Sequence, residues 1–122
     1  DQFGCPTYAA DLADAILTIA GYIRKERSLI PGTYHYCGMG ATTWYDFAKA
    51  IFEIASRYES LRVKDVRPIT TSEYYTPARR PANSVLDCSL IASTFGITPR
   101  PWRESLVSMV KRLLGAHKPG EL

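Results

Sequence analysis

The chain has little that would tie it to a membrane, a metal ion or a nucleic acid. No apolar run approaches the ~20 residues that a membrane-spanning helix needs. No block of five like charges occurs, and the densest basic patch is Arg24-Lys25-Glu26-Arg27. The net charge of +3 comes from 15 basic and 12 acidic residues spread along the chain, which gives little support to nucleic-acid or membrane-surface partners. There are only three cysteines, Cys5, Cys37 and Cys88, and no Cys-x-x-Cys pair. A disulfide framework favours an even count and a zinc site favours close ligand pairs, so three reduced thiols in a cytoplasmic protein are expected. His35 and His117 are isolated, without spaced partners, and no metal site is expected. Repeats and low-complexity segments are absent. The chain opens on Asp1-Gln2 with neither methionine nor a basic leader, so we expect no signal peptide and expect that upstream sequence has been removed.

What is present is an ordinary globular composition, 46% apolar and 22% charged, over 122 residues. A chain of this size supports one domain, or part of a larger one, with a single modest core. Thr7 can cap a helix whose apolar residues Leu12, Ala13, Ile16, Leu17, Ala20 and Ile23 recur at helical spacing to about Lys25. After Pro31-Gly32, Thr33-Tyr34-His35-Tyr36-Cys37 reads as a short strand. Gly38-Met39-Gly40 then turns the chain into a second helix near Thr43. Phe47, Ile51, Phe52, Ile54 and Ala55 supply its apolar face, and Asp46 suits its first turn. Residues 63–68 read as a short strand ending at Pro68, and 70–82 as a loop with one turn around Ser72-Glu73-Tyr74. Asp87-Cys88-Ser89 caps a short helix to Phe95, closed by Gly96. A last helix runs from about 101 to 114 on the stripe Trp102, Leu106, Met109, Val110 and Leu113. Helices alternating with short strands give an α/β fold, with too few strands to complete a parallel sheet.

Two segments carry candidate function. Gly4-x-Pro6-Thr7 is a turn set against a helix start: Gly4 permits an unusual dihedral, Pro6 fixes the turn and Thr7 caps. A plain strand-to-helix connector explains it equally well. Cys5 in that turn is a small filler rather than a nucleophile, with no histidine nearby in sequence. Thr76-Pro77-Ala78-Arg79-Arg80-Pro81-Ala82-Asn83-Ser84 places two arginines in a loop stiffened by prolines. Arginine's planar fork suits phosphate oxygens, and a rigid loop lowers the ordering cost of binding. The alternative is an arginine at the rim of the core, paired with a carboxylate such as Asp87. Asn83 and Ser84 could bind in a cleft or satisfy the loop's own backbone.

Two patterns imitate catalytic motifs. Tyr45 and Lys49 fit the Tyr-x-x-x-Lys spacing of short-chain dehydrogenases, but such a pair arises readily by chance among 8 tyrosines. Gly38-Met39-Gly40-Ala41-Thr42-Thr43 follows a strand and precedes a helix as a dinucleotide loop should. Its third glycine is replaced by Thr43, and no acidic residue ends a following strand. A packed turn is the better reading.

These segments, with Gly32-Thr33-Tyr34-His35-Tyr36, Thr43-Trp44-Tyr45-Asp46-Phe47-Ala48, Phe95-Gly96-Ile97 and Pro101-Trp102, together resemble the carboxyl-terminal, substrate-side part of dTDP-4-dehydrorhamnose reductases. That family belongs to the extended short-chain dehydrogenase/reductase superfamily, and the resemblance runs from Asp1 to about Leu114. It implies that residues 1–122 are one substrate-binding portion of an α/β enzyme whose Rossmann half is absent here. The family reduces the 4-keto group of dTDP-6-deoxy-L-lyxo-4-hexulose with NADPH or NADH to give dTDP-L-rhamnose, a step of nucleotide-sugar and cell-surface polysaccharide (lipopolysaccharide, O-antigen) biosynthesis. The resemblance places the Gly4-x-Pro6-Thr7 turn beside the nucleotide-sugar and the arginine loop near the active-site cleft. Arg79, Arg80, Asn83, Gln2 and Thr7 are the substrate-binding residues it implies. The catalytic tyrosine-lysine pair and the cofactor loop lie upstream, so the chain alone is expected to be inactive and not to bind NADPH. Surfaces left by the missing half suggest a homodimer. Two alternatives stay open: a binding subunit resembling the regulatory subunit of methionine adenosyltransferase, and a related nucleotide-sugar epimerase or reductase.

Overall fold

The structure, a computed structural model, describes residues 1–26 and 30–115. Among them are four α-helices and one two-stranded sheet: β1 (Phe3–Gly4), α1 (Ala9–Glu26), β2 (Thr42–Thr43), α2 (Trp44–Ala55), α3 (Ser89–Phe95) and α4 (Trp102–Leu114), with a 3₁₀ turn at Thr71–Glu73. The expected α/β character holds, with little β.

The core is a seam between α2 and α4. Ala50, Ile54 and Ala55 of α2 meet Trp102, Leu106 and Val110 of α4, and Phe47, Ile51, Leu61, Met109 and Leu114 close around them. The rings of Phe47 and Trp102 meet edge to face, 5.7 Å between centroids. α2 starts where the sequence sets it. Thr43 is extended, its hydroxyl accepts from the Asp46 backbone N–H at 3.1 Å, and it donates back to the Asp46 carboxylate at 3.0 Å. Four of the five stripe residues expected on α4 turn inward, but Leu113 is 62% exposed, and its neighbour Leu114 takes the core side.

The short strands organise the chain around β1. Phe3 and Gly4 pair antiparallel with Thr43 and Thr42. On the other side, Phe3 takes a bridge to residue 83, donating its N–H to the Ala82 carbonyl at 2.8 Å and accepting from the Ser84 N–H at 2.9 Å. Met39 bridges Pro101 in the same manner. Two distant segments are thus gathered against the first residues of the chain, and a third, at Pro101, is joined to the turn before β2.

Four expectations need correction. Residues 33–37 form no strand; no neighbouring strand offers them a ladder among the described residues, and their β-favouring side chains pack instead, Tyr34 against Phe95 at 5.0 Å and Cys37 into the interior. Residues 63–68 form no strand either, and the Asp65 carboxylate accepts from Arg67 at 3.3 Å on the surface. Thr7 does not cap α1, which begins two residues later with the Leu12 N–H donating to the Tyr8 carbonyl. Most of the apolar stripe read on α1 faces outward: Leu12, Ile16 and Leu17 are 38%, 58% and 68% exposed. The helix is apolar on more than one side, and the packed side is Ala15, Ile19, Tyr22 and Ile23, with Tyr22 meeting Phe95 of α3 at 5.3 Å. α3 ends as expected at Gly96, whose φ of 68° is a left-handed turn that glycine adopts without strain.

Candidate functional site

A cavity of about 450 Å³ opens where β1, the turn after it and the start of α2 meet α4. Its floor is aromatic and apolar: Phe47, Trp102, Leu106 and Met109. One wall is the Gly4–Tyr8 turn, another is Tyr36, Cys37, Ser84 and Leu86, and Trp44 stands at the edge, 69% exposed. An aromatic hollow with a few polar groups at its rim is the usual make-up of a small-molecule site.

The turn owes its position to close backbone packing. A side chain at residue 38 would place a Cβ 2.1 Å from the Pro6 carbonyl, so glycine is required there. The Thr7 hydroxyl donates to the Cys5 carbonyl at 3.1 Å and accepts from the Gly38 N–H at 3.3 Å, which locks the turn to the segment behind it. The Ser84 hydroxyl donates to the Phe3 carbonyl at 3.0 Å.

Beneath the cavity lies a polar network that joins α1 to α4. The buried Ser105 hydroxyl donates to the Asp11 carboxylate. Arg100 donates to the other oxygen of Asp11 at 3.1 Å and to Ser108 at 3.1 Å. Tyr36 has its pKa raised, first by burial and then by the negative charge of Asp11. Its phenol therefore stays protonated at neutral pH and can donate to a ligand.

Of the residues expected to bind substrate, Thr7 lines the cavity. Asn83 lies beside it: its backbone is in the bridge to Phe3, and its side-chain oxygen accepts from the Val85 N–H at 2.9 Å. Gln2 sits one residue outside β1 and donates to the Thr71 hydroxyl at 3.1 Å. Asp1 accepts from the same threonine, so the chain start is tied to the 3₁₀ turn. Arg79 and Arg80 are exposed on the loop that leaves the cavity rim at Ala82. Neither forms an ion pair among the described residues. Asp87, the carboxylate considered as their partner, accepts from the Ser89 N–H at 2.8 Å, which lowers its pKa.

The two imitative motifs have structural explanations. The Lys49 ammonium lies 5.2 Å from the Tyr45 ring centroid, a cation–π contact on one helix face. The Gly38-Met39-Gly40 turn is filled: residue 38 abuts Pro6, residue 40 abuts Trp102, and Met39 is bridged to Pro101. Among the described residues no cluster of three or more His, Cys, Asp or Glu could hold a metal ion. No described helix is long and apolar enough to cross a membrane. His117 lies outside the described residues.

Sequence reasoning missed Tyr36, Trp44 and the Asp11–Ser105–Arg100 network. Tyr36 and Trp44 each stand in a short aromatic-rich segment, but nothing in the local sequence marks them as cavity residues. Asp11 and Ser105 are 94 positions apart and carry no local signal of contact.

A family model described as the RmlD substrate binding domain matches residues 1–114. A dTDP-4-dehydrorhamnose reductase from Aggregatibacter actinomycetemcomitans is 44% identical over 107 residues, 87% of this chain and 36% of that protein. The crystal structure of a dTDP-4-dehydrorhamnose reductase from Clostridium acetobutylicum superposes with a TM-score of 0.76 at 38% identity, over 93% of this chain and 36% of that one. A Bacillus anthracis dTDP-4-dehydrorhamnose reductase solved in complex with NADP gives a TM-score of 0.64 at 32% identity, over 88% of this chain and 34% of that one. The chain spans about a third of the length of these relatives.

Proposed function

The chain belongs to the RmlD substrate binding domain family, and from that premise we propose that it is the substrate-side part of an NAD(P)H-dependent reductase converting dTDP-4-dehydro-L-rhamnose to dTDP-L-rhamnose. The wider setting we assign is cytoplasmic nucleotide-sugar synthesis for cell-surface polysaccharide such as O-antigen.

The division of labour follows from the chemistry present. We assign the hydride donor and its cofactor to parts of the enzyme beyond this chain, because the glycine-rich turn at residues 38–40 lacks the third glycine of a dinucleotide loop and residue 38 is packed against the Pro6 backbone and the Trp102 side chain. This chain binds and orients the sugar nucleotide. The cavity's aromatic floor and the exposed face of Trp44 suit a flat base or the apolar face of a deoxysugar. The protonated Tyr36 offers a donor to sugar oxygens, while Thr7, whose hydroxyl is bonded to the Cys5 carbonyl and the Gly38 N–H, shapes the wall beside it. Arg79 and Arg80, without a carboxylate partner among the described residues, are the cations for the diphosphate, and closing the loop over the rim would bring them to it. Gln2 and Asn83 hold the rim through Thr71 and Val85.

The experiment is turnover by the full-length protein: purified enzyme, dTDP-4-dehydro-L-rhamnose and NADPH, with consumption of NADPH followed by absorbance and the product identified by mass spectrometry and NMR. Formation of dTDP-L-rhamnose is expected. A full-length protein that binds the sugar nucleotide without reducing it would replace this reading with a binding-subunit role.

A further inference from the structure

The three cysteines, widely separated in sequence, converge in the fold. Cys37 and Cys88 are 51 positions apart, yet their sulfurs lie 3.6 Å from each other. The Cys37 thiol is also 3.6 Å from the Leu86 carbonyl, so the two segments face one another over several atoms. Cys5 lines the same cavity as Cys37. All three are free thiols. Cys37 is 6% exposed, whereas Cys88, at the start of α3, is half-buried and open to small solutes. The substrate-binding role proposed above uses none of these sulfurs.

We propose that Cys37 and Cys88 form an oxidative modification site, a dithiol in the cavity wall that closes to an intramolecular disulfide on reaction with a hydroperoxide. A disulfide bond is about 2.05 Å long, so the sulfurs need to approach by about 1.5 Å, within the reach of side-chain rotation and a small backbone shift. Cys88 is the attacking thiol because it is the more accessible. It gives up its proton, its sulfur attacks one oxygen of hydrogen peroxide, the O–O bond breaks, and the departing hydroxide takes the proton to leave as water. Cys88 is then a sulfenic acid. The Cys37 sulfur attacks the sulfur of that acid, the S–O bond breaks, and the hydroxyl leaves with the Cys37 proton as a second water. Two thiols are oxidised by two electrons in all, and one peroxide is reduced to two waters. Burial of Cys37 suits it to this resolving role, since it faces the Cys88 sulfur directly; the Cys5 thiol is its other reactive neighbour.

Closure has a consequence for the cavity. Leu86 lines it two residues before Cys88, and Cys37 lines it directly. The disulfide pins these two wall segments together, so oxidation stiffens the site from behind. This inference does not depend on the reductase reading.

The test uses the full chain at neutral pH with hydrogen peroxide as probe, followed by quenching, alkylation of remaining thiols under denaturing conditions and peptide mass spectrometry without reductant. The expected product is the Cys37 peptide joined to the Cys88 peptide, lighter than the sum of the two by two hydrogen atoms, with Cys5 alkylated. Dithiothreitol restores all three thiols, and the oxidised chain has a Tm several degrees higher than the reduced one. Cys5→Ser gives the same link to the same extent, and Cys88→Ser leaves Cys37 alkylatable. A link that includes Cys5, a link between two chains, or Cys88 carried to the sulfinic acid with Cys37 still a thiol would each overturn the proposal.

Discussion

At the scale of single residues, the clearest contrast is between side chains that are committed and side chains that are free. Thr7, Asn83, Ser84 and Asp87 all spend their polar atoms on nearby backbone. Among the described residues Arg79 and Arg80 form no ion pair, and they are the residues whose removal should cost function with little loss of stability. In the full-length protein, Arg79→Ala or Arg80→Ala is expected to lower kcat/KM for the sugar nucleotide by roughly tenfold or more, which is about 1.4 kcal/mol of transition-state binding. Tm should barely move, since an exposed arginine contributes little to folding. Unchanged kinetics with a large fall in Tm would assign both residues a structural role. The thiols make a second prediction. Burial raises the pKa of Cys37 and of Cys88 above the ordinary value near 8.5. The folded state therefore holds both as neutral thiols after the unfolded chain has begun to ionise. Their contribution to stability is complete below about pH 8.5 and is lost as pH rises toward their folded values. Groups facing the pair, Cys5, Asp87 and Tyr36, leave that sign unchanged. Urea midpoints under reducing conditions should fall between pH 8 and pH 10 and fall less in Cys37→Ala/Cys88→Ala; parallel slopes in the two proteins would refute the assignment.

At the scale of elements, the structure depends on how α2 is started and what it is packed against. The Thr43 hydroxyl both accepts from the Asp46 N–H and donates to the Asp46 carboxylate, and its backbone also pairs with Phe3 in the sheet. Removing the hydroxyl leaves a helix amide without its partner. Thr43→Ala should cost about 1 kcal/mol, and Thr43→Ser should recover most of it, as read from chemical denaturation. A serine variant no better than alanine would show that the methyl group, not the cap, matters. The core that α2 forms with α4 is less forgiving. Leu106 is 4% exposed against Ile54 and Ala50, and Leu106→Ala should cost roughly 2–5 kcal/mol, enough to unfold a chain with so modest a core.

At the scale of the whole molecule, the packing is one-sided. The α2–α4 seam is well covered, while Ile16 and Leu17 of α1 present a large apolar surface to solvent, joined by Leu12 at its edge. Contiguous apolar faces of this kind seldom stay open on a soluble monomer. The isolated chain is expected to self-associate at high micromolar concentration, measurable by light scattering, and Ile16→Lys/Leu17→Lys should shift it toward the monomer. A monodisperse wild-type monomer with well-dispersed amide resonances would rule this out.

The sequence by itself determined the helices. Each is encoded locally, by spacing of apolar residues, by a cap such as Thr43 or by a stop such as Gly96, and the 3.6-residue period carries that information within a few turns. It also determined the family, because the order of short motifs survives without any contact being known. Tertiary structure alone decided which face of α1 is covered, since both candidate faces are apolar and only a partner such as Phe95 breaks the tie. It decided that residues 33–37 stay out of a sheet, because a strand exists only with a neighbour to pair with. It also brought Asp11 to Ser105, and Cys37 to Cys88. Those contacts join residues 94 and 51 positions apart, and nothing in the spacing of a single chain encodes a distance that only packing creates.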